Sequence, residues 1–329
     1  MAKDMMPAFQ LYQPASIEDA LALLDRFGVD GWALAGGHDS FDWFKDRAKR
    51  PQAVVDLNGI DGLTGIRDQN GGVEIGALTT LTTIQQNELI RERFSLLADA
   101  AARVASPQIR NVGTVGGNVS QDARCWYYRY GLDCYRAGGV TCYANTPQGQ
   151  NREHALFGAD RCVAVSPSDT APALVALDAT MVVQSSKGER LISAGDFFIG
   201  PSTDITRMTV LESGDILTAI RIPSKWAGAN FYFEKVADRN TWDFPLVNIA
   251  AALRIEGGVI EEARIVCGAV EAVPRRLVAV EKLVRGAPHN EATAEQAARI
   301  ASEGAAPLNF NHFKMPLMDN LVKRAIRDA

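Results

Sequence analysis

Arg110-Asn111-Val112-Gly113-Thr114-Val115-Gly116-Gly117-Asn118 reads as a glycine-rich turn flanked by β-branched residues. Backbone without Cβ can approach a phosphate closely, and successive amides can form an anion-binding nest. A second such turn lies earlier, where the apolar run Trp32-Ala33-Leu34-Ala35 enters Gly36-Gly37-His38-Asp39-Ser40. Two loops of this kind could grip a dinucleotide pyrophosphate from both sides. Either one alone is more often a tight turn, because short motifs match by chance. Neither follows G-x-G-x-x-G, so a Rossmann-type site is not supported.

Working outward, residues 16–28 read as a helix with Ser16 as N-cap, Asp19 completing a capping-box pattern and Gly28 as its end. AVVDL at 53–57 and VEIGA at 73–77 read as strands, and TLTTIQQNEL as the start of a helix. A further helical pattern over about 95–105 is expected to stop near Pro107. PSDTAPALVALDA at 167–179 reads as a loop and a helical turn, and 180–185 with 189–193 as a hairpin. Strand-like runs at 216–222, 229–236, 246–255 and 259–270 include a turn at Glu256-Gly257-Gly258. From Arg275 the pattern becomes helical, with breaks near Pro288 and Pro307. The expectation is α+β, with a meander of strands plus helices at the C-terminal end.

The chain has 329 residues, 47% of them hydrophobic, enough for two or three domains at roughly 150 residues each. With 34 basic and 39 acidic residues the net charge is −5, which argues against nucleic acid as the main partner. No apolar run approaches the ~20 residues that span a bilayer. MAKDMMPAFQ has neither a signal-peptide apolar core nor a twin-arginine pair, so the chain is expected to carry no export signal of its own.

Cysteine is placed unevenly. Cys125, Cys134, Cys142 and Cys162 are clustered with the spacing C-x8-C-x7-C-x19-C, while Cys267 stands alone in an apolar run. Tyr127, Tyr128, Tyr130, Tyr135 and Tyr143 fall in the same region. Residues 121–160 show no periodicity, and a long irregular segment rich in aromatics points to function rather than disorder. No C-x2-C pair supports a zinc ribbon. Disulfides are disfavoured in a reducing compartment. Four thiolates on one loop suit a [4Fe–4S] cluster, which Trp126 and the tyrosines could shield from water. Spacing alone leaves three readings open: an iron–sulfur cluster, zinc, or four unrelated buried thiols. Cys267 reads as a core thiol. His38 could face a phosphate or flavin, and Lys235 and Arg239 could place positive charge near a cofactor, although each also reads as a solvated side chain. His154, His289 and His312 show no partner pattern.

Taken in order, AGGHDS, RNVGTVGGN, SDTAPAL, GDILTAIRIP and FEKVADRNTWDFPLVNIAAAL resemble the FAD-binding medium subunit of the xanthine dehydrogenase, or molybdenum hydroxylase, family. The resemblance spans nearly the whole chain. The cysteine-bearing insertion, with its RCWYY segment and the seven-residue step from Cys162 to Asp169, is similar to a subgroup with an additional [4Fe–4S] cluster. That subgroup includes the β subunit of 4-hydroxybenzoyl-CoA reductase and the flavin subunit of PaoABC-type aldehyde oxidoreductases.

The resemblance implies a fold and a ligand set. Residues 1–225 would form an FAD-binding PCMH-type domain of two α+β subdomains, dividing near 57–60, with the cluster loop inserted at 121–162. Residues 226–329 would form a C-terminal antiparallel-sheet-plus-helices domain. Ala33, Leu34, Ala35, Gly36, Gly37, His38, Asp39 and Ser40 would wrap the FAD pyrophosphate, and Thr114, Val115, Gly116, Gly117 and Asn118 would form the second phosphate loop. Asp169 would contact the ribose or adenine side, and Leu217 and Lys235 would line the flavin region. Cys125, Cys134, Cys142 and Cys162 would hold the cluster. His38 departs from the Thr or Asn usual in the family, which puts the side-chain phosphate contact in doubt.

By the same resemblance the chain would be an electron-transfer subunit of an oxidoreductase. Its partners would be a large molybdenum-cofactor subunit, a small subunit with two [2Fe–2S] clusters, and an external electron acceptor. No substrate-activating base is evident in the sequence. An aldehyde is the first expectation for substrate, and an aromatic acyl-CoA or an N-heterocycle the second. The expected location is the cytoplasm, or the periplasm if a partner bearing an export signal carries the chain there. A self-contained FAD oxidoreductase and a zinc-stabilised binding protein remain as readings from other classes.

Overall fold

In the computed structural model, which describes residues 5–329, Ser16 Oγ accepts the amide of Asp19 at 3.1 Å and opens the helix Ile17–Phe27. Gly28 ends it, with φ +54°. Ala20, Leu21 and Leu24 of this helix are buried with Val55 and Leu57. They cover a small sheet of β1 (Gln10–Tyr12), β2 (Gly31–Leu34) and β3 (Ala53–Asp56). The order is β1-β3-β2 and both pairings are parallel.

A second sheet holds β4 (Ile66–Gln69), β5 (Gly72–Gly76), β6 (Thr180–Ser185), β7 (Gly188–Ser193) and β8 (Ile216–Ile222). It is antiparallel, in the order β4-β5-β8-β6-β7. Ile75, Met181 and Ile220 from its strands share one core with Ile84, Phe94, Leu97 and Leu174 from the helices. Two sequence readings change here. The helix after Thr80 breaks at Asn87, because the Asn87 carboxamide accepts the amide of Ile90 at 3.1 Å and caps a new helix. The next helix ends at Ala102, and Pro107 opens a further helical turn, Pro107–Arg110, capped by Ser106. Proline suits a first helical position because the amide it lacks would have no partner there.

The third sheet is β9 (Asn230–Val236), β10 (Val247–Glu256), β11 (Val259–Gly268) and β12 (Arg275–Arg276). It is antiparallel, in the order β12-β11-β10-β9. Side chains alternate along β10. Val247, Ile249, Ala251 and Leu253 pack with the helices Val278–Val284, Glu291–Ala301 and Lys314–Arg327. Ala250 and Ala252 instead join the core of the second sheet. One strand therefore seals two layers together. The fold is α+β with a C-terminal antiparallel sheet and helices, as expected from sequence. Among the described residues no helix is long and apolar enough to cross a membrane.

Candidate functional site

The two glycine turns meet. A Cβ on Gly36 would stand 2.5 Å from the carbonyl oxygen of Val112, so close contact between the turns requires glycine there. Gly37, at φ +80°, precedes the helix His38–Lys45. Thr114 accepts the amide of Gly117 at 3.1 Å and caps the short helix Val115–Val119. The second turn is thus a helix start rather than a free loop. Between the two turns opens a cleft of about 650 Å³. This is the size range of cofactor sites. Its far wall comes from the C-terminal region, through Asp238, Arg239, Trp242, Asp243 and Phe244.

The proposed flavin residues divide between this cleft and the layers behind it. Ala33, Ala35, Gly36, Gly37, His38, Asp39 and Ser40 line it, as do Thr114, Gly117, Asn118 and Asp169. Leu34 and Val115 do not; they are buried in hydrophobic clusters. A Cβ on Gly116 would stand 2.8 Å from Ala77, so packing against Ala77, and not a phosphate, demands glycine at that position. Leu217 is buried in the core of the second sheet, outside the lining of the cleft. Lys235 sits behind the wall. Its ammonium donates to Asp169 Oδ2 at 2.6 Å, the Asp243 carbonyl at 2.6 Å and the Arg103 carbonyl at 3.0 Å. Asn248 donates to the other Asp169 oxygen at 2.9 Å. Burial is the largest influence on the Asp169 carboxyl and raises its pKa, while Lys235 pulls it down. Asn118 uses its carbonyl oxygen internally, accepting from Ser168 and Thr170 at 2.6 Å each.

Sequence reasoning missed another wall of the cleft. Arg129 pairs with Asp39 at 2.8 Å and lies over the Trp43 ring at 4.2 Å. Arg124 pairs with Glu153 at 3.1 Å, and Trp126 donates to the same carboxylate at 2.8 Å. All six residues line the cleft. Arg124, Trp126 and Arg129 lie next to the RCWYY segment or within it, but nothing in the local pattern shows that they face back across the first glycine turn.

Behind this wall lies a small cavity lined by Cys125, Cys134, Cys142 and Cys162 together. The insertion that carries them is irregular, with two short helical pieces, Trp126–Arg129 and Tyr135–Ala137. Tyr127, Tyr128, Tyr135 and Tyr143 line the same cavity, whereas Trp126 faces the flavin-sized cleft instead. All five cysteines are free thiols, and Cys267 is a fully buried core residue as expected. The backbone amides of Tyr128 and Tyr127 favour the Cys125 thiolate, and that of Ala164 the Cys162 thiolate, but burial outweighs them. Burial pushes the Cys125 thiol up to about 12 and raises that of Cys162. Among the described residues, no group of three or more His, Cys, Asp or Glu stands ready to hold a single metal ion. His154, which has no partner pattern in the sequence, places Nε2 3.3 Å from Cys125 Sγ. Burial, then Lys314 and Arg124, push its pKa down to about 4.

Cys125 lines both the cleft and the cysteine cavity. It is therefore part of the wall between them. Asp122 braces this wall from the cleft side. It accepts from Arg136 and from Tyr128 at 3.2 Å, and pairs with Lys49 at 3.0 Å.

Comparison with known proteins agrees with this geometry. Residues 7–225 match the family described as the FAD binding domain in molybdopterin dehydrogenase. Residues 232–329 match the CO dehydrogenase flavoprotein C-terminal domain. The carbon monoxide dehydrogenase medium chain of Hydrogenophaga pseudoflava is 28% identical over 328 residues, covering 98% of this chain and 97% of that one. The aldehyde oxidoreductase FAD-binding subunit PaoB of Escherichia coli is 34% identical over 260 residues, covering 77% and 79%. Among solved structures, carbon monoxide dehydrogenase from H. pseudoflava superposes with a TM-score of 0.78 at 28% identity, covering 98% and 97%. Quinoline 2-oxidoreductase from Pseudomonas putida 86 gives 0.77 at 26%, covering 99% and 98%.

Proposed function

The chain belongs to the FAD-binding subunits of the molybdenum hydroxylase family, which are parts of oxidoreductases, and on that premise we propose that it is the flavin- and [4Fe–4S]-bearing electron-transfer subunit of a three-component enzyme. The observation that carries the finer reading is the convergence of four cysteines, spread over an irregular loop, on one cavity whose wall is shared with the cleft. The donor set fits. Four sulfurs are the ligands that a cubane cluster takes, and backbone amides beside two of them favour the thiolate form that would bind iron.

Bound FAD would exchange electrons in pairs or singly, and the cluster would exchange them singly. The chain supplies the setting for both. The backbone at Gly36, Gly37 and Gly117 leaves room for a pyrophosphate, and His38 to Ser40 present a helix start to it. Asp169, held by Lys235 and Asn248, would receive the ribose or adenine side. Trp32, Trp43 and Phe244 give the cleft apolar wall surface. Cys125, Cys134, Cys142 and Cys162 would hold the cluster.

The proposed partners are a large molybdenum subunit that carries the substrate chemistry, a small [2Fe–2S] subunit, and an external electron acceptor. The medium-chain and FAD-subunit names of the relatives support such a complex. An aldehyde is the proposed substrate, supported by the 34% identity to an aldehyde oxidoreductase subunit.

Elemental and flavin analysis of the purified protein tests the reading. We expect one FAD and about four irons per chain beyond any contributed by partner subunits. Cys134→Ser should lose that iron and keep FAD, since the two groups have separate ligands. Zinc in place of iron, or iron unchanged in Cys134→Ser, would overturn the cluster assignment.

A further inference from the structure

We propose that His154 is a positioning residue for the cluster, donating a hydrogen bond from Nε2 to Cys125 Sγ and thereby raising the reduction potential on the side that faces the flavin cleft. The inference rests on the cluster reading above and adds to it a specific residue that controls electron exchange.

The geometry comes first. His154 is 1% exposed and its Nε2 lies 3.3 Å from Cys125 Sγ. Its Nδ1 is buried with no hydrogen-bond partner. A buried N–H without an acceptor is costly, so the ring proton belongs on Nε2, where it points at sulfur. The ring is enclosed by its burial, and the backbone that carries it is held on both sides. The His154 amide donates to the Asn151 carbonyl at 3.2 Å. The His154 carbonyl accepts from Asn311 Nδ2 and from Lys314 Nζ, each at 3.0 Å. Both donors are fully buried.

The chemistry follows from charge. A ligand sulfur carries more negative charge when its cluster is reduced. A donor fixed on that sulfur therefore stabilises the reduced form more than the oxidised one, and the potential rises. A neutral imidazole does this without adding net charge to a buried site. The position matters too. Of the four cysteines, Cys125 is the one that also lines the flavin-sized cleft, so the bond acts on the proposed ligand that borders both sites.

The test uses the protein with the subunits that accompany it, in wild-type form and as His154→Leu and His154→Gln. The cluster's paramagnetic signal is identified as the one missing from Cys134→Ser. Its midpoint potential is then measured by redox titration with electron paramagnetic resonance. At equal iron and FAD content, we expect a lower midpoint in His154→Leu. His154→Gln, whose amide can donate from about the same place, should lie closer to wild type. An unchanged midpoint in His154→Leu at full iron content would overturn the inference. If His154→Leu loses iron, the glutamine variant decides. Retained iron with a near-native midpoint supports the hydrogen bond, and loss from both variants overturns it, because the glutamine keeps the donor. Wild-type protein lacking the cluster signal would instead remove the reading on which the inference depends.

Discussion

A Cβ on Gly36 has nowhere to go, because the Val112 carbonyl oxygen stands 2.5 Å away in backbone that is itself hydrogen-bonded. Gly36→Ala should therefore push the two turns apart and weaken FAD binding tenfold or more, about 1.4 kcal/mol. Flavin content after gel filtration and the affinity from flavin fluorescence quenching measure it; native affinity would show that the contact is not needed. The paired glycines were legible in the sequence, but the reason for each was not. Gly36 answers to Val112 and Gly116 to Ala77, neighbours that only the fold supplies. Lys235 was legible as a cation near the cofactor. That it is spent on Asp169, a residue 66 positions away, was not.

At the scale of elements, two N-caps of the same kind should have different consequences. Ser16 caps the helix Ile17–Phe27 on the outside of the small parallel sheet, and Thr114 caps Val115–Val119 at the edge of the cleft. Each loses about 1 kcal/mol of stability on substitution by alanine. Ser16→Ala should lower the urea midpoint and leave flavin content unchanged. Thr114→Ala should lower both, since the amide it releases belongs to Gly117, which lines the cleft. Equal flavin content in the two variants would count against a role for the second turn. The first cap was readable because its partners lie three residues apart. The hairpin at 180–193 and the strands beyond 216 were readable because alternation and turn residues are local signals. The cysteine loop has no period at all. Its path is set by contacts such as Asp122 with Arg136 and Arg124 with Glu153, which no window of sequence contains.

Over the whole molecule, the cysteine loop is closed by the C-terminal region as well as by its own internal contacts. Asn309 donates to the Thr146 and Pro147 carbonyls, and the Phe310 amide to Asn151. Asn311 reaches His154 and Ala155. Lys314 donates to three carbonyls, those of Glu153 at 2.9 Å, His154 at 3.0 Å and Ala269 at 2.8 Å. The two family regions, 7–225 and 232–329, thus meet across the insertion as well as along β10. Lys314→Met keeps the volume and removes the donors. The Glu153 and Ala269 carbonyls would then lack their lysine partner, at a cost of about 1–3 kcal/mol for each that stays unpaired, while the His154 carbonyl keeps Asn311. Relief from burying an ammonium offsets part of that cost. The lost contacts at Glu153 and His154 both fall on the segment that packs against Cys125, whereas the glycine turns keep their own contacts. With the proposed cluster in place, incubation with an iron chelator should therefore strip iron from Lys314→Met several times faster than from wild type, while FAD content falls little. Simultaneous loss of FAD at the same rate would mean that the lysine holds the whole cleft together. Iron retention equal to wild type would mean that the asparagine contacts suffice to close the loop.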